Sequence, residues 1–137
     1  MTGDSELEII VIDDHPLFRD GLTGILATLF VGSDIAQAGD MAALTELLAP
    51  KGLRRPAPDL LVLDVMFPGF DAVQDLPSLR AQLPTTVIVV VSMIEDNQLI
   101  DSIVATGING FVSKSVPPET LSQAFADVMA GRSLILR

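Results

Sequence analysis

The sequence predicts a doubly wound α/β domain, a five-stranded parallel sheet with helices on both faces. Three observations carry that expectation. Strand-like and helix-like patterns alternate along the chain. The strand segments are continuous apolar runs, as strands buried on both faces require. Of the residues 49% are hydrophobic, yet the only aromatics are six Phe, a balance suited to an aliphatic core. At 137 residues the chain fits a single domain, 1–137, with its core over about 8–131.

The elements follow in order. Ile9-Ile10-Val11-Ile12 is a β-branched run that stops at Asp13 and Asp14. A helix pattern comes next, with Phe18, Leu22, Ile25, Leu26 and Leu29 at helical spacing and Pro16 suited to its first turn. Asp34 to Ala38 reads as a short strand, and Met41 to Ala49 as a helix with Asp40 as its N-cap. Pro50 to Pro58 is breaker-rich and locally positive, with Lys51, Arg54 and Arg55 read as a solvated tip. Leu60 to Leu63 forms a strand ending at Asp64, and Pro68-Gly69 marks a turn before a helix from Val73 to Leu83. Val87 to Val91 is a fully apolar strand ending at Ser92. A helix from Asp96 to Thr106 precedes a short strand, Gly110 to Val112, that ends near Lys114. The last helix starts near Pro118, carries Leu121, Phe125, Val128 and Met129 on one face, and stops at Gly131. Leu134 to Arg137 is apolar enough to suggest that something follows it or packs on it.

Composition narrows the function. A formal charge of −10 argues against non-specific nucleic-acid binding by this chain itself. Without cysteine there is no disulfide and no thiolate chemistry or metal site. Met1 to Glu8 is acidic and polar, unlike a secretory signal, and Val87 to Val91 is too short to span a bilayer. The expectation is a cytoplasmic domain with no membrane partner.

Ligands in parallel sheets bind beyond the carboxyl ends of the strands. Those ends here carry Asp13 and Asp14, Asp64, Ser92 and Lys114. Each has a plainer use: the aspartates as turn formers or caps of the first helix, Ser92 as a cap of the helix after it, Lys114 as a solvated lysine. Together they point elsewhere. Neighbouring carboxylates repel by roughly 4 kcal/mol per pair at ~4 Å and an effective dielectric of about 20. A bound cation removes that cost, and oxygen ligands with no His or Cys nearby suit a hard ion such as Mg²⁺. Lys114 can neutralise a phosphoryl oxygen and Ser92 can offer it a hydroxyl, which is what an acyl phosphate on Asp64 needs.

Four strings then carry a family likeness: Val11-Ile12-Asp13-Asp14-His15-Pro16-Leu17-Phe18-Arg19, Asp59-Leu60-Leu61-Val62-Leu63-Asp64 followed by Pro68-Gly69, Ser92-Met93, and Gly107-Ile108-Asn109-Gly110-Phe111-Val112-Ser113-Lys114. With these, the chain resembles the receiver domain of bacterial two-component response regulators, NarL/LuxR-type subfamily, over nearly its whole length. The resemblance implies a flavodoxin-like (CheY-like) sheet of order 2-1-3-4-5. It implies phosphorylation of Asp64 by a histidine kinase or phosphotransfer protein. Mg²⁺ would be held by Asp13, Asp14, Asp64 and the backbone carbonyl of Met66. Lys114 would pair with the phosphoryl group, Ser92 would move to hydrogen-bond it, and Phe111 would turn inward. The output would be a changed surface around the fourth helix, fifth strand and fifth helix. The domain would be a phosphoacceptor with autophosphorylation and autodephosphorylation only, not an enzyme. Related receivers often dimerise on phosphorylation, which makes a homodimer a further partner. A C-terminal helix-turn-helix domain that binds DNA is expected in the parent protein but lies outside this chain; a stand-alone receiver is the alternative.

Three departures from the commoner pattern are informative. Ala72 stands where a glycine often ends the loop after the acceptor, and alanine resists positive φ. Met93 is larger than the residue many receivers carry there, and could hinder attacking water and slow dephosphorylation. Ser115 replaces the usual proline after Lys114, leaving a cis bond there open. Rival readings fare worse. A haloacid-dehalogenase-type phosphatase needs an acid where Met66 stands, and a flavodoxin-like electron carrier needs a Ser/Thr-rich phosphate loop in place of Asp13-Asp14-His15-Pro16. A pseudo-receiver, an interaction module that keeps the fold alone, usually loses an acid or the lysine, and all are present here.

Overall fold

The computed structural model of the chain describes residues 6–49 and 57–137. The positively charged tip at Lys51, Arg54 and Arg55 lies outside the described residues. In chain order the elements are β1 (Glu8–Ile12), α1 (Pro16–Leu29), β2 (Asp34–Ala38), α2 (Met41–Leu48), β3 (Leu60–Leu63), α3 (Ala72–Gln82), β4 (Val87–Ser92), α4 (Asn97–Val104), β5 (Gly110–Ser113), α5 (Pro118–Met129) and β6 (Leu134–Leu136).

All pairings in the sheet are parallel, and the strand order is β2-β1-β3-β4-β5-β6. The order of the first five matches the expectation. The sixth strand corrects it. Leu134-Ile135-Leu136 pairs with Gly110-Phe111-Val112 along the outer edge of β5. That edge would otherwise leave backbone donors and acceptors unpaired. Gly131, with φ 97°, closes α5 in a conformation that favours glycine and turns the chain back toward the edge.

Alternation along the interior strands builds two cores. Ile10, Ile12, Leu61, Leu63, Ile88 and Val90 face the layer of α2, α3 and α4, where they meet Leu44, Leu76, Leu79, Ile100 and Ile103. Ile9, Val11, Leu60, Val62, Val89 and Val91 face α1 and α5, where they meet Leu22, Leu26, Leu121, Phe125 and Val128. Each such side chain contributes on the order of 1.5–3 kcal/mol through removal from water. Sheet burial on both faces fixes the strand register, and the register fixes which residues stand at the carboxyl ends.

The caps are local. Asp40 accepts a hydrogen bond from the Ala43 N–H, as expected, while Asp71 and Asp96 cap α3 and α4 in the same way. Ala72 opens α3 as its first residue, and the positive φ of the preceding loop falls on Gly69 (83°), so alanine is unstrained there. Among the described residues every peptide bond is trans, Lys114–Ser115 included. No helix among the described residues is long and apolar enough to cross a membrane.

Candidate functional site

The strand ends do converge. The Asp13 N–H donates to the Ala38 carbonyl (3.1 Å) and the Asp64 N–H to the Ile12 carbonyl (3.0 Å), continuing the ladders one residue past β1 and β3. The Lys114 N–H donates to the Ser92 carbonyl (2.9 Å), which ties the end of β5 to the end of β4. Asp13, Asp64 and Ser92 are buried as a result.

Lys114 joins them from the side. Its Nζ lies 2.7 Å from Asp64 Oδ2 and 2.9 Å from Asp13 Oδ2, with its side chain only 7% exposed. Burial alone would lower the pKa of this ammonium. The hydrogen bonds and negative charges of Asp64 and Asp13 outweigh burial and raise it. The Phe18 ring covers another side of Nζ, with its centroid 4.4 Å away. Asp13 and Asp64 do form turns, each accepting from the N–H two residues on, but the capping and solvated-lysine uses are not the ones the fold makes. The N-cap of α1 is His15, with no side-chain cap bond; α4 is capped by Asp96 rather than Ser92; Lys114 is not solvated.

Other predicted residues fall close by. The Met66 N–H donates to Asp64 Oδ1 (3.0 Å), so its main chain adjoins the Asp64 carboxylate. Ser92 Oγ accepts a long hydrogen bond from the Ile94 N–H (3.3 Å), and that bond does not use the hydroxyl's own proton. Phe111 stands apart from the charged cluster, fully buried in the layer under α4.

One premise needs correction. A histidine does stand beside the acids: His15 Nδ1 lies 3.1 Å from Asp13 Oδ1 and 3.2 Å from Asp14 Oδ1. The turn between β1 and α1 folds the ring back, and the His15 N–H also donates to Asp13 Oδ1 (2.8 Å). Ligand atoms of Asp13, Asp14, His15 and Asp64 all lie within 4.8 Å of one another. The donor set fits a hard divalent cation. Lys114 pairs with Asp13 and Asp64 but not with Asp14, so the carboxylates here outnumber the ammonium, and buried Asp13 Oδ2 has no hydrogen bond besides its ion pair with Lys114. Sequence reasoning also missed Arg19, whose Nη1 donates to the Asp13 carbonyl (2.9 Å) and whose Nε donates to Gln37 Oε1 (2.8 Å). Residue type and spacing assign Arg19 no role, since its partner is a backbone atom only the fold supplies.

Fold and site together define an α/β domain of the flavodoxin-like (CheY-like) type with an acidic pocket at its strand ends. The chain belongs to the response regulator receiver domain family, whose model matches residues 9–126. It is 30% identical over 124 residues to the glycerol metabolism activator of Pseudomonas putida, covering 90% of this chain and 54% of that protein. With the nitrate/nitrite response regulator protein NarL of Escherichia coli it shares 28% identity, over 98% of this chain and 60% of that one. The solved signal receiver domain of the putative response regulator NarL from Mycobacterium tuberculosis superposes with a TM-score of 0.76 at 28% identity, over 93% of this chain and 98% of that one. A LuxR-family two-component response regulator from Aurantimonas sp. gives 0.78 at 25%, over 94% and 89%. The domain is thus a two-component receiver of the NarL/LuxR type. The chain spans little more than half the length of the curated relatives it matches, 54% to 60%.

Proposed function

We propose that the domain is a phosphorylation switch in which Asp64 accepts the phosphoryl group. One observation carries this reading: a buried ammonium, Lys114 Nζ, bridges Asp64 and Asp13 at the ends of two neighbouring strands. An Asp64 oxygen attacks phosphorus and forms the acyl phosphate O–P bond. The donor's bond to phosphorus breaks, and its electron pair leaves with the donor. Asp64 gives up its own carboxylate charge in that step, and Lys114 then pairs with the phosphoryl oxygens it already faces. Asp13, Asp14 and Asp64, with the Met66 backbone carbonyl, would hold Mg²⁺, whose charge screens the acids from the incoming anion. The Ser92 hydroxyl hydrogen-bonds a phosphoryl oxygen, and the buried position of Phe111 is the state that this contact favours.

The donor is a histidine kinase or phosphotransfer protein, and the setting is the cytoplasm. The domain acts as a phosphoacceptor rather than a turnover enzyme. In a longer protein of the relatives' kind, the output is transcription through a C-terminal helix-turn-helix domain, with a phosphorylation-dependent homodimer as the bridge. The test is to incubate the chain with acetyl phosphate and Mg²⁺ and weigh it by mass spectrometry. Wild type is expected to gain one phosphoryl group, and Asp64→Ala none. No gain in wild type, or an undiminished gain in the variant, overturns the reading.

A further inference from the structure

We propose that Phe18 is a positioning residue for phosphoryl uptake, holding the Lys114 ammonium against the acids through the face of its ring. An ammonium has three N–H donors. Two sides of Lys114 Nζ face Asp64 Oδ2 (2.7 Å) and Asp13 Oδ2 (2.9 Å), and a third faces the Phe18 ring, 4.4 Å from its centroid. That separation is well inside the roughly 6 Å over which a ring quadrupole attracts a cation.

The ring stands on a rigid support. Phe18 lies in the first turn of α1, one helical turn before Leu22, which is buried in the core under α1 and α5. Phe18 packs against the same core as Leu22 and Leu26, and at the strand ends it meets a cation as well. Phe18 itself is half-buried and Lys114 nearly wholly so, and both line the open mouth formed with His15, Leu17 and Met93. A lysine stem is flexible and its ammonium strongly hydrated. When Asp64 loses its charge to the acyl phosphate, one of the two anionic anchors of Nζ is gone. The ring is an anchor that phosphorylation does not alter, and it keeps Nζ in place for the new phosphoryl oxygens.

The kinetic half of this inference rests on the phosphoryl-acceptor reading; the contact itself does not. The chain has only two lysines, Lys51 and Lys114, so lysine labelled with ¹³C at the ε-carbon gives two signals. In the metal-free chain the Lys114 ε-methylene protons are expected upfield of those of Lys51 through the ring current, with assignment by Lys114→Arg. Phe18→Leu, which keeps apolar bulk without a π face, is expected to remove that displacement, and Phe18→Trp to keep it. Uptake from acetyl phosphate with Mg²⁺ is expected to slow about three- to tenfold in Phe18→Leu and to stay within about twofold of wild type in Phe18→Trp. Phe18→Met serves if Phe18→Leu does not fold. A Lys114 signal unmoved by Phe18→Leu, or equal uptake rates in Phe18→Leu and Phe18→Trp, overturns the proposal. A wild type that takes up nothing overturns the acceptor reading and the kinetic role together, and the signal still decides the contact.

Discussion

At the amino ends of the strands, Arg80 of α3 donates to the carbonyls of Leu83 (2.9 Å), Thr86 (2.7 Å) and Gly107 (3.1 Å) and to Asn109 Oδ1 (2.7 Å). At the carboxyl ends, Lys114 meets two carboxylates and a ring. Both are cations drawn partly out of water, and burial lowers the pKa of Arg80 while the acids raise that of Lys114. The difference lies in the partners. Carbonyl oxygens are neutral and chemically inert, so Arg80 is architecture, stitching the turns that launch β4 and β5. Carboxylates can be esterified or bind a cation, so the surroundings of Lys114 can change with chemistry. One end of the sheet holds its cation among inert partners and the other among reactive ones.

Four variants would break or sharpen that contrast. Lys114→Met is expected to slow phosphoryl uptake on the order of a hundredfold, measured by mass spectrometry against acetyl phosphate. It also leaves Asp13 and Asp64 buried without a shared counter-charge, so the metal-free variant is expected to unfold at lower urea. Mg²⁺ should restore that stability and leave uptake slow. Arg80→Ala is expected to show the crossed pattern: about 3 kcal/mol of stability lost by urea titration, no restoration by Mg²⁺, and uptake near wild type. Arg80→Lys should recover only part, because an ammonium cannot reproduce the guanidinium fork. If Mg²⁺ rescued Arg80→Ala as well, the two ends would not be separable.

The pH dependence follows from the raised Lys114 pKa. A cation whose folded pKa lies above its unfolded one binds its proton more tightly when folded. Its contribution is therefore complete below the ordinary value of 10.5 and is lost as pH rises through the higher folded value. Metal-free wild type is expected to lose urea resistance more steeply in that alkaline window than Lys114→Met does. The smallest effect concerns Met93, 58% exposed at the mouth shared with Phe18 and Lys114. Met93→Ala is expected to speed loss of the phosphoryl group about two- to fivefold by opening a path for water, and an unchanged half-life would count against the shielding role.

Legibility differed between the two ends for a physical reason. Asp13, Asp64, Ser92 and Lys114 were readable because each terminates an apolar run, and parallel strands bring such ends together. Arg80 was not, since its partners are mostly carbonyls, of the α3–β4 and α4–β5 connections, which leave no pattern in side chains. The sixth strand, β6, is hidden by its shortness: Leu134-Ile135-Leu136 is legible as an apolar tail but not as a strand. Phe18 was read as one more apolar residue on the α1 face, because spacing reports the side of a helix and not the charge it meets. His15 adjoins Asp14 in the chain, but its place in the acid pocket is not legible there, because the fold back of the turn decides where its ring lies.

The alternation along β4 has a consequence for how the chain can change. Val90 and Val91 are neighbours in sequence, yet their side chains stand in separate cores on opposite sides of the sheet. Losses in one core share no packing partner with losses in the other. Paired substitutions across the sheet are therefore expected to combine additively within about 0.5 kcal/mol, whereas pairs within one core couple. The domain can drift as two semi-independent mosaics joined only through backbone. β5 alternates in the same way, Phe111 belonging to one and Val112 to the other, in the strand that leads to Lys114.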